Sequence, residues 1–215
     1  MLRSAIPILA WLLLPSLAAI FAAYLLGSLS FAVITSRLMG LADPRSYGSG
    51  NPGATNVLRS GNKAAALLTL VFDALKGYLP VLAVYLWGAP LGLGVEAAAA
   101  VGLAAFIGHL WPVFFRFEGG KGVATAAGVV FGLNPVLGLA VLASFAIVVA
   151  FSRYVSLASM VAAVFAAFYQ ALIWGIGPIV WCLLAMAGLL VWRHKLNIER
   201  LLAGTESKLG AKKNG

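Results

Sequence analysis

Four groups of residues in this chain have types and spacings that could do chemistry, and what they share is phosphate binding. In the stretch Ser49 to Arg59, SGNPGATNVLR, Gly50 and Gly53 let the backbone turn tightly and aim N–H groups at an anion. Asn51, Thr55 and Asn56 add hydrogen-bonding side chains, and Arg59 can offer a phosphate a bidentate fork. A polar turn capped before a helix would use the same residues. In Glu118 to Thr125, EGGKGVAT, the glycines Gly119, Gly120 and Gly122 flank Lys121 at the start of an apolar run. Unpaired N–H groups and the positive end of a helix dipole favour an anion there. The strand and spacing of a nucleotide P-loop are missing, which argues against ATP and leaves a glycine-rich connection with a snorkelling lysine as the alternative. In Arg193 to Ser207, RHKLNIERLLAGTES, His194 and Asn197 fall on one helical face and Arg193 and Arg200 on another. His194 is one of two histidines and a candidate proton carrier or phosphate donor, in a segment that a solvated basic end serving only topology explains more simply. Fourth, Asp73 and Lys76 lie three apart in an apolar run, where they can neutralise each other as a structural pair or as support for a site. Ser152, Arg153, Ser156 and Ser159 form a smaller polar group, and His109, before Leu110-Trp111-Pro112, reads as an interfacial histidine.

These residues must be positioned by membrane helices. The chain has 215 residues, 62% apolar and 10% charged, against about 45–50% and about 25% in an ordinary soluble domain. Apolar runs cover Ile6–Leu26, Ala64–Trp87, Val95–Phe115, Val123–Leu133, Val136–Phe151, Val155–Ile173 and Ile176–Trp192. The first is too long for a signal-peptide core and reads as a retained span, extended or broken near Gly27. The Val123–Leu133 run is too short to cross alone, so it either extends through the preceding loop or is tilted or re-entrant beside a cavity. Residues 40–62 read as one long polar loop. The expected fold is therefore an all-α integral membrane protein of about seven transmembrane helices, one short, forming a single polytopic domain over residues 1–215 with its motif loops at one face.

The net charge of +9 would suggest nucleic acid in a soluble protein, but the charges lie between long apolar runs, so no nucleic-acid partner is expected. With the N-terminus outside, all of the 15 Lys and Arg except Arg3 fall on the cytoplasmic side or in the span entered from it, which places the C-terminus inside. Trp11, Trp87, Trp111, Trp174 and Trp192 sit near predicted span ends, as interfacial aromatics do. The single Cys182 excludes a disulfide framework and a four-cysteine zinc site. No Ser/His/Asp triad, metal cluster or cofactor site is read from the spacings.

Taken together, SGNPGATNVLR, the DALKG at Asp73–Gly77, GGKGVAT at Gly119–Thr125 and HKLNIERLLAGTE at His194–Glu206 closely resemble the PlsY family of bacterial acyl-phosphate:glycerol-3-phosphate acyltransferases, in order and over nearly the whole chain. The resemblance implies a seven-span inner-membrane enzyme that passes a fatty acyl group from acyl phosphate to the sn-1 hydroxyl of glycerol 3-phosphate. It also implies a functional link to the enzyme that makes acyl phosphate. By position, Ser49, Arg59, Lys121, Ser159, His194 and Asn197 match the catalytic positions, with Ser156 one turn from Ser159. Gly50, Asn51, Gly53, Thr55, Asn56, Lys76, Gly119, Gly120, Gly122, Arg153 and Arg193 are the expected substrate-binding set. Two rival readings stand beside it. A transporter of a phosphorylated solute would show alternating access, against which the absence of an internal repeat weighs. A structural membrane protein would use its basic loops for topology alone. The His-x4-Asp signature of soluble-type acyltransferases is absent.

Overall fold

The computed structural model describes the backbone of residues 2–210 and the side chains of residues 13–210, so Arg3, Trp11, Lys212 and Lys213 lie outside the described side chains. All regular elements among the described residues are helical. The chain forms two compact units, Met1–Leu133 and Asn134–Gly215.

The first unit contains α1 (Leu2–Gly27), α2 (Phe31–Leu38), α3 (Ala54–Val57), α4 (Lys63–Trp87), α5 (Val95–Leu110) and α6 (Val123–Leu133). The second contains α7 (Pro135–Ser152), α8 (Val155–Trp174), α9 (Pro178–Arg193) and α10 (Lys195–Leu202). Four stretches are long and apolar enough to cross a membrane: α4, α5 with the 3-10 turn after it, α7 and α8. Two bent pairs, Leu13–Gly27 with α2 at 44° and α9 with α10 at 59°, pass the same test as broken spans. That makes four to six candidate spans, with the short apolar α6 beside them as the short helix expected. The first run is indeed broken just after Gly27.

Two expectations are refined. The 40–62 segment is not a continuous loop, since α3 and a 3-10 turn at Leu58–Ser60 close it before Asn62 caps α4 by accepting from the Ala65 amide (3.0 Å). The short run does not extend backward, because residues 116–122 are non-helical and α6 starts only at Val123. At about 1.5 Å per residue its 11 residues reach roughly half of a core about 30 Å thick.

Small residues decide how α6 is held. A Cβ on Gly128 would collide with the Ala74 carbonyl, one on Gly77 with the Thr125 carbonyl, and one on Gly132 would sit 2.9 Å from Cβ of Val81. Glycine therefore lets the α4 and α6 backbones touch, the close approach that packs helices where lipid offers no hydrophobic gain. The same device joins α1 and α5, where Gly27 meets the Ala105 backbone and Gly108 meets the Tyr24 carbonyl. The Tyr24 hydroxyl then donates to the Trp111 carbonyl across the pair (2.9 Å). In the second unit α7 packs on α8 and α8 on α9. There Ser144 and Tyr169 share a hydroxyl–hydroxyl hydrogen bond (3.2 Å).

Gly128→Val should overpack the α4–α6 contact and destabilise by about 1–3 kcal/mol or more, read as a lower melting temperature in detergent. Gly188→Ala, where an added Cβ meets nothing within 4 Å, should stay within about 0.5 kcal/mol of wild type. Equal melting of the two variants would remove the backbone contact as the reason for glycine at position 128.

Candidate active site

The first unit gathers two of the phosphate-suited stretches at one end. Between α2 and α3 the chain is organised by Asn56, which is buried and pointed inward. Its Nδ2 donates to the Pro44 and Tyr47 carbonyls (2.6 and 3.1 Å), and its Oδ1 accepts from the Ser49 amide (3.0 Å). Asn56 therefore holds Ser49 from behind, with both ends of its amide engaged. Gly48 and Gly50 take positive φ on either side of Ser49, and a Cβ on Gly48 would strike Asn56 Oδ1. Ser49, Gly50, Thr55 and Arg59 are exposed, while Asn51 and Gly53 are half-buried and lie close together.

Arg45 ties this loop down. Its guanidinium grips Asp43 through Nε and Nη2 (3.0 and 2.7 Å), and Nη1 lies 3.6 Å from Glu118 at the head of the glycine stretch. The Arg45 hydrogen bond holds the Asp43 carboxyl below its ordinary value, so the pair is charged at neutral pH and is lost only on acidification below the usual carboxylate range.

The glycine stretch is packed rather than loose. The Gly120 amide donates to the His109 carbonyl at the end of α5 (3.1 Å). A Cβ on Gly119 would meet the His109 and Leu110 carbonyls, and one on Gly122, which has φ +81, would meet the Phe106 ring. A Cβ on Gly120 would strike His109 Nε2 and lie 3.1 Å from the Pro52 carbonyl, so the two loops approach at this point. Just before it, Arg116 and Phe117 both have positive φ (55° and 60°), an unusual state for two consecutive side-chain-bearing residues. Lys121 is half-buried between these anchored neighbours, directly before α6.

Beneath the glycine stretch lies a polar network that residue spacing only half announced. Asp73 and Lys76 pair as expected, Nζ to Oδ1 2.8 Å, both buried. Lys76 Nζ also donates to the Leu29 carbonyl (2.6 Å) at the break between α1 and α2, where the helix leaves that oxygen without a partner. It lies 5.8 Å from the centroid of Phe31, which stacks on Phe72. Lys76 is thus engaged beneath the loops as support. His109 turns inward, buried, with Nδ1 3.1 Å from Thr125 Oγ1 and 3.7 Å from Asp73 Oδ1, rather than lying at an interface. Its partners come from α4 and α6, so no spacing along α5 points to them.

The second unit carries the other set. Arg193 ends α9 and is half-buried, and Arg200 belongs to α10 beyond the 59° bend, so the two do not share a helix. His194 sits at the bend, buried, with Nδ1 2.8 Å from the Leu190 carbonyl. A carbonyl only accepts, so Nδ1 donates to it. Asn197 Nδ2 and Ser156 Oγ both donate to Glu206 Oε1 (2.7 and 2.6 Å). Glu206 therefore joins α10, the start of α8 and the tail. It was not singled out from sequence, although it is the one carboxylate after Arg200 in a basic tail. Ser159 Oγ bonds back to the Val155 carbonyl (2.8 Å), and Arg153, at φ +63°, exchanges hydrogen bonds with Leu209 through its backbone (2.7 Å) and Nη2 (2.8 Å). Among the described residues no group of three metal-ligating side chains occurs.

Residues 17–204 match the family model described as glycerol-3-phosphate acyltransferase. The chain belongs to this family. It is 60% identical over 199 residues to the glycerol-3-phosphate acyltransferase of Burkholderia pseudomallei, covering 92% of this chain and 97% of the relative. It is 61% identical over 200 residues to that of Burkholderia lata, covering 92% of each. Among solved structures it resembles PlsY, an integral membrane glycerol 3-phosphate acyltransferase, in its glycerol 3-phosphate form, with a TM-score of 0.85 and 38% identity over 91% of this chain and 96% of that one. Against the lysophosphatidic acid form of that enzyme the TM-score is 0.83 at 37% identity, with the same coverage. Membership of the PlsY family agrees with the resemblance carried by the four motifs, and the all-α, multi-pass membrane architecture is that of the family.

Asn56→Ala removes three hydrogen bonds that shape the Ser49 loop, and about 1–3 kcal/mol of local stability should go with them. Faster amide exchange over residues 44–50 with the helices unchanged is the expected result, and unchanged exchange would remove Asn56 as the organiser of the loop. In the same way, Glu206→Ala should loosen α10 and the tail, whereas Glu206→Gln, which keeps one accepting oxygen, should do so less.

Proposed function

We propose that this chain is a bacterial glycerol-3-phosphate acyltransferase that takes its acyl group from acyl phosphate, releasing lysophosphatidic acid and inorganic phosphate as the first acylation step of phospholipid synthesis. The observation that carries the reading is the rigid seating of two cation-bearing loops at one end of the first unit: the Ser49–Arg59 loop fastened by Asn56, and the glycine stretch fastened to α5 around Lys121. Two phosphate-bearing substrates bring about three to four negative charges, and fixed cations and N–H groups are what such a load requires.

The reaction needs little covalent help. Acyl phosphate is a mixed anhydride with a good leaving group, so positioning and charge stabilisation supply most of the acceleration. The sn-1 hydroxyl oxygen attacks the acyl carbonyl carbon, an ester C–O bond forms, the bond from that carbon to the phosphate oxygen breaks, and the departing phosphate takes the hydroxyl proton. Ser49 and Arg59 hold a phosphate, with Gly50, Asn51, Gly53 and Thr55 shaping the turn. Lys121, between Gly119, Gly120 and Gly122, stabilises phosphate charge. Ser159, His194 and Asn197 orient the substrates. Arg153 and Arg193 add positive charge, and Lys76 and Asn56 act from beneath their loops. The acyl tail extends between helices into the bilayer. The distribution of Lys and Arg supports these loops at the cytoplasmic face, where the enzyme that makes acyl phosphate can supply it, and on this reading the chain is an inner-membrane enzyme of one catalytic domain.

Purified protein in detergent, given acyl phosphate and glycerol 3-phosphate, should release phosphate in step with lysophosphatidic acid; folded protein without product would overturn the reading. Incubated with acyl phosphate alone, it should show no mass adduct on the loop bearing Ser49, and an acylated Ser49 would replace direct attack by a covalent route. Lys121→Ala should lose about 1.5–3 kcal/mol of transition-state binding, roughly ten- to a hundredfold in kcat/KM. An unchanged value would take Lys121 out of the site.

A further inference from the structure

We propose that His109 is the positioning residue of the glycine stretch, setting where Lys121 stands, and that Thr125 and Asp73 fix the ring for this task; the functional side of this rests on the reading that Lys121 holds substrate phosphate. The stretch touches the same residue twice. The Gly120 amide donates to the His109 carbonyl (3.1 Å), and the Gly120 α-carbon stands so close to His109 Nε2 that a methyl group there would collide with it. The imidazole therefore forms the floor on which residue 120 rests, one position before Lys121.

That floor is held from two other helices. Thr125 Oγ1 of α6 shares a hydrogen bond with Nδ1 (3.1 Å), and Oδ1 of Asp73, on α4, lies 3.7 Å from the same nitrogen while paired with Lys76 at 2.8 Å. A ring contacted at both nitrogens, between the end of α5, the start of α6 and the middle of α4, has one orientation open to it. Thr125 also lies four residues after Lys121, on the first turn of α6, and its own backbone is pinned against Gly77. The backbone of Lys121 is thus set from both sides, by residue 120 resting on the ring and by the helix that Thr125 ties to the ring. A lysine with four rotatable bonds on a loose loop would lose much of its attraction for phosphate to ordering; a fixed backbone removes part of that cost.

The decisive experiment is a double-mutant cycle between Thr125→Val, which removes the hydroxyl and keeps the shape, and Lys121→Ala, with phosphate release followed over hours so that residual turnover is measurable. Alone, Thr125→Val should lower kcat/KM about three- to tenfold, mostly by raising the KM of the substrate whose KM Lys121→Ala also raises. In the Lys121→Ala background it should cost less than about twofold, because no ammonium is left to position. Thr125→Ser should recover most of the loss. Amide exchange over residues 119–121, measured without substrate, should accelerate at least about fivefold in Thr125→Val. Gly120→Ala pushes the same ring from the loop side and should show the same non-additivity; it decides the matter if Thr125→Val does not melt as folded protein. An equal cost in both backgrounds, or unchanged exchange, overturns the role of His109 and leaves the enzyme reading standing. A Lys121→Ala enzyme with wild-type kcat/KM overturns the reading of Lys121 and this inference with it.

Discussion

A helix of 11 residues cannot carry a backbone across a hydrocarbon core by itself, and the first unit is arranged around how that shortfall is met. Backbone N–H and C=O groups at membrane depth must find partners inside the protein, since lipid supplies none. The segment ahead of α6 is non-helical, so its groups need other partners: the Phe117 and Glu118 amides bond within the preceding turn, and the Gly120 amide donates to the His109 carbonyl at the end of α5. That solution requires α6 and its approach to lie hard against α4 and α5. Glycines at 77, 128, 119 and 122 are the means, because at each of these positions a Cβ would meet atoms of the neighbouring helix. A glycine-rich stretch can be read as a flexible hinge or as a place where backbones must touch. Here the second reading governs.

The polar residues below the loops answer the same constraint. Breaking the first span after Gly27 leaves the Leu29 carbonyl outside any helical ladder, and Lys76 reaches across from α4 to satisfy it. Lysine at that depth needs a counter-charge, which Asp73 gives from one turn away on the same helix. Asp73 in turn stands near His109, which supports the glycine stretch. One network thus compensates a broken helix at one end and steadies the glycine stretch at the other, and removing any member leaves a polar group buried in an apolar surround, where desolvation is expensive.

Much of this could be read from residue order. The apolar runs located the helices, the break near Gly27 and the short run at Val123–Leu133 stood out by length, and the i,i+3 spacing of Asp73 and Lys76 foretold their pairing. What stayed hidden is contact between residues far apart in sequence. His109 is surrounded in sequence by alanine, phenylalanine and leucine, and its partners lie 36 residues before it in Asp73 and 16 after it in Thr125. Asn56 looked like one more polar group of an exposed loop, and only tertiary geometry turns it inward to bind two carbonyls and an amide. Glu206 is the one carboxylate after Arg200 in a basic tail, yet composition does not tell a solvated charge from a hub that gathers Ser156 and Asn197. Periodicity reports which face of a helix is apolar; it carries no distance between helices.

A division of labour follows among polar residues that sequence alone would class together. Asn56, His109 and Glu206 each hydrogen-bond across the protein and shape a segment, and Arg59 and Lys121 lie on segments shaped in this way. Both are cations, and a cation on an ordered backbone can meet a phosphate without paying again for the ordering of its loop. The net charge of +9 acquires two meanings in this light. Most of it follows from topology, since basic residues gather where loops do not cross the membrane. In the function proposed, the part set on fastened loops meets small phosphates, whose negative charge is concentrated, where a nucleic acid would need a broad water-facing basic surface.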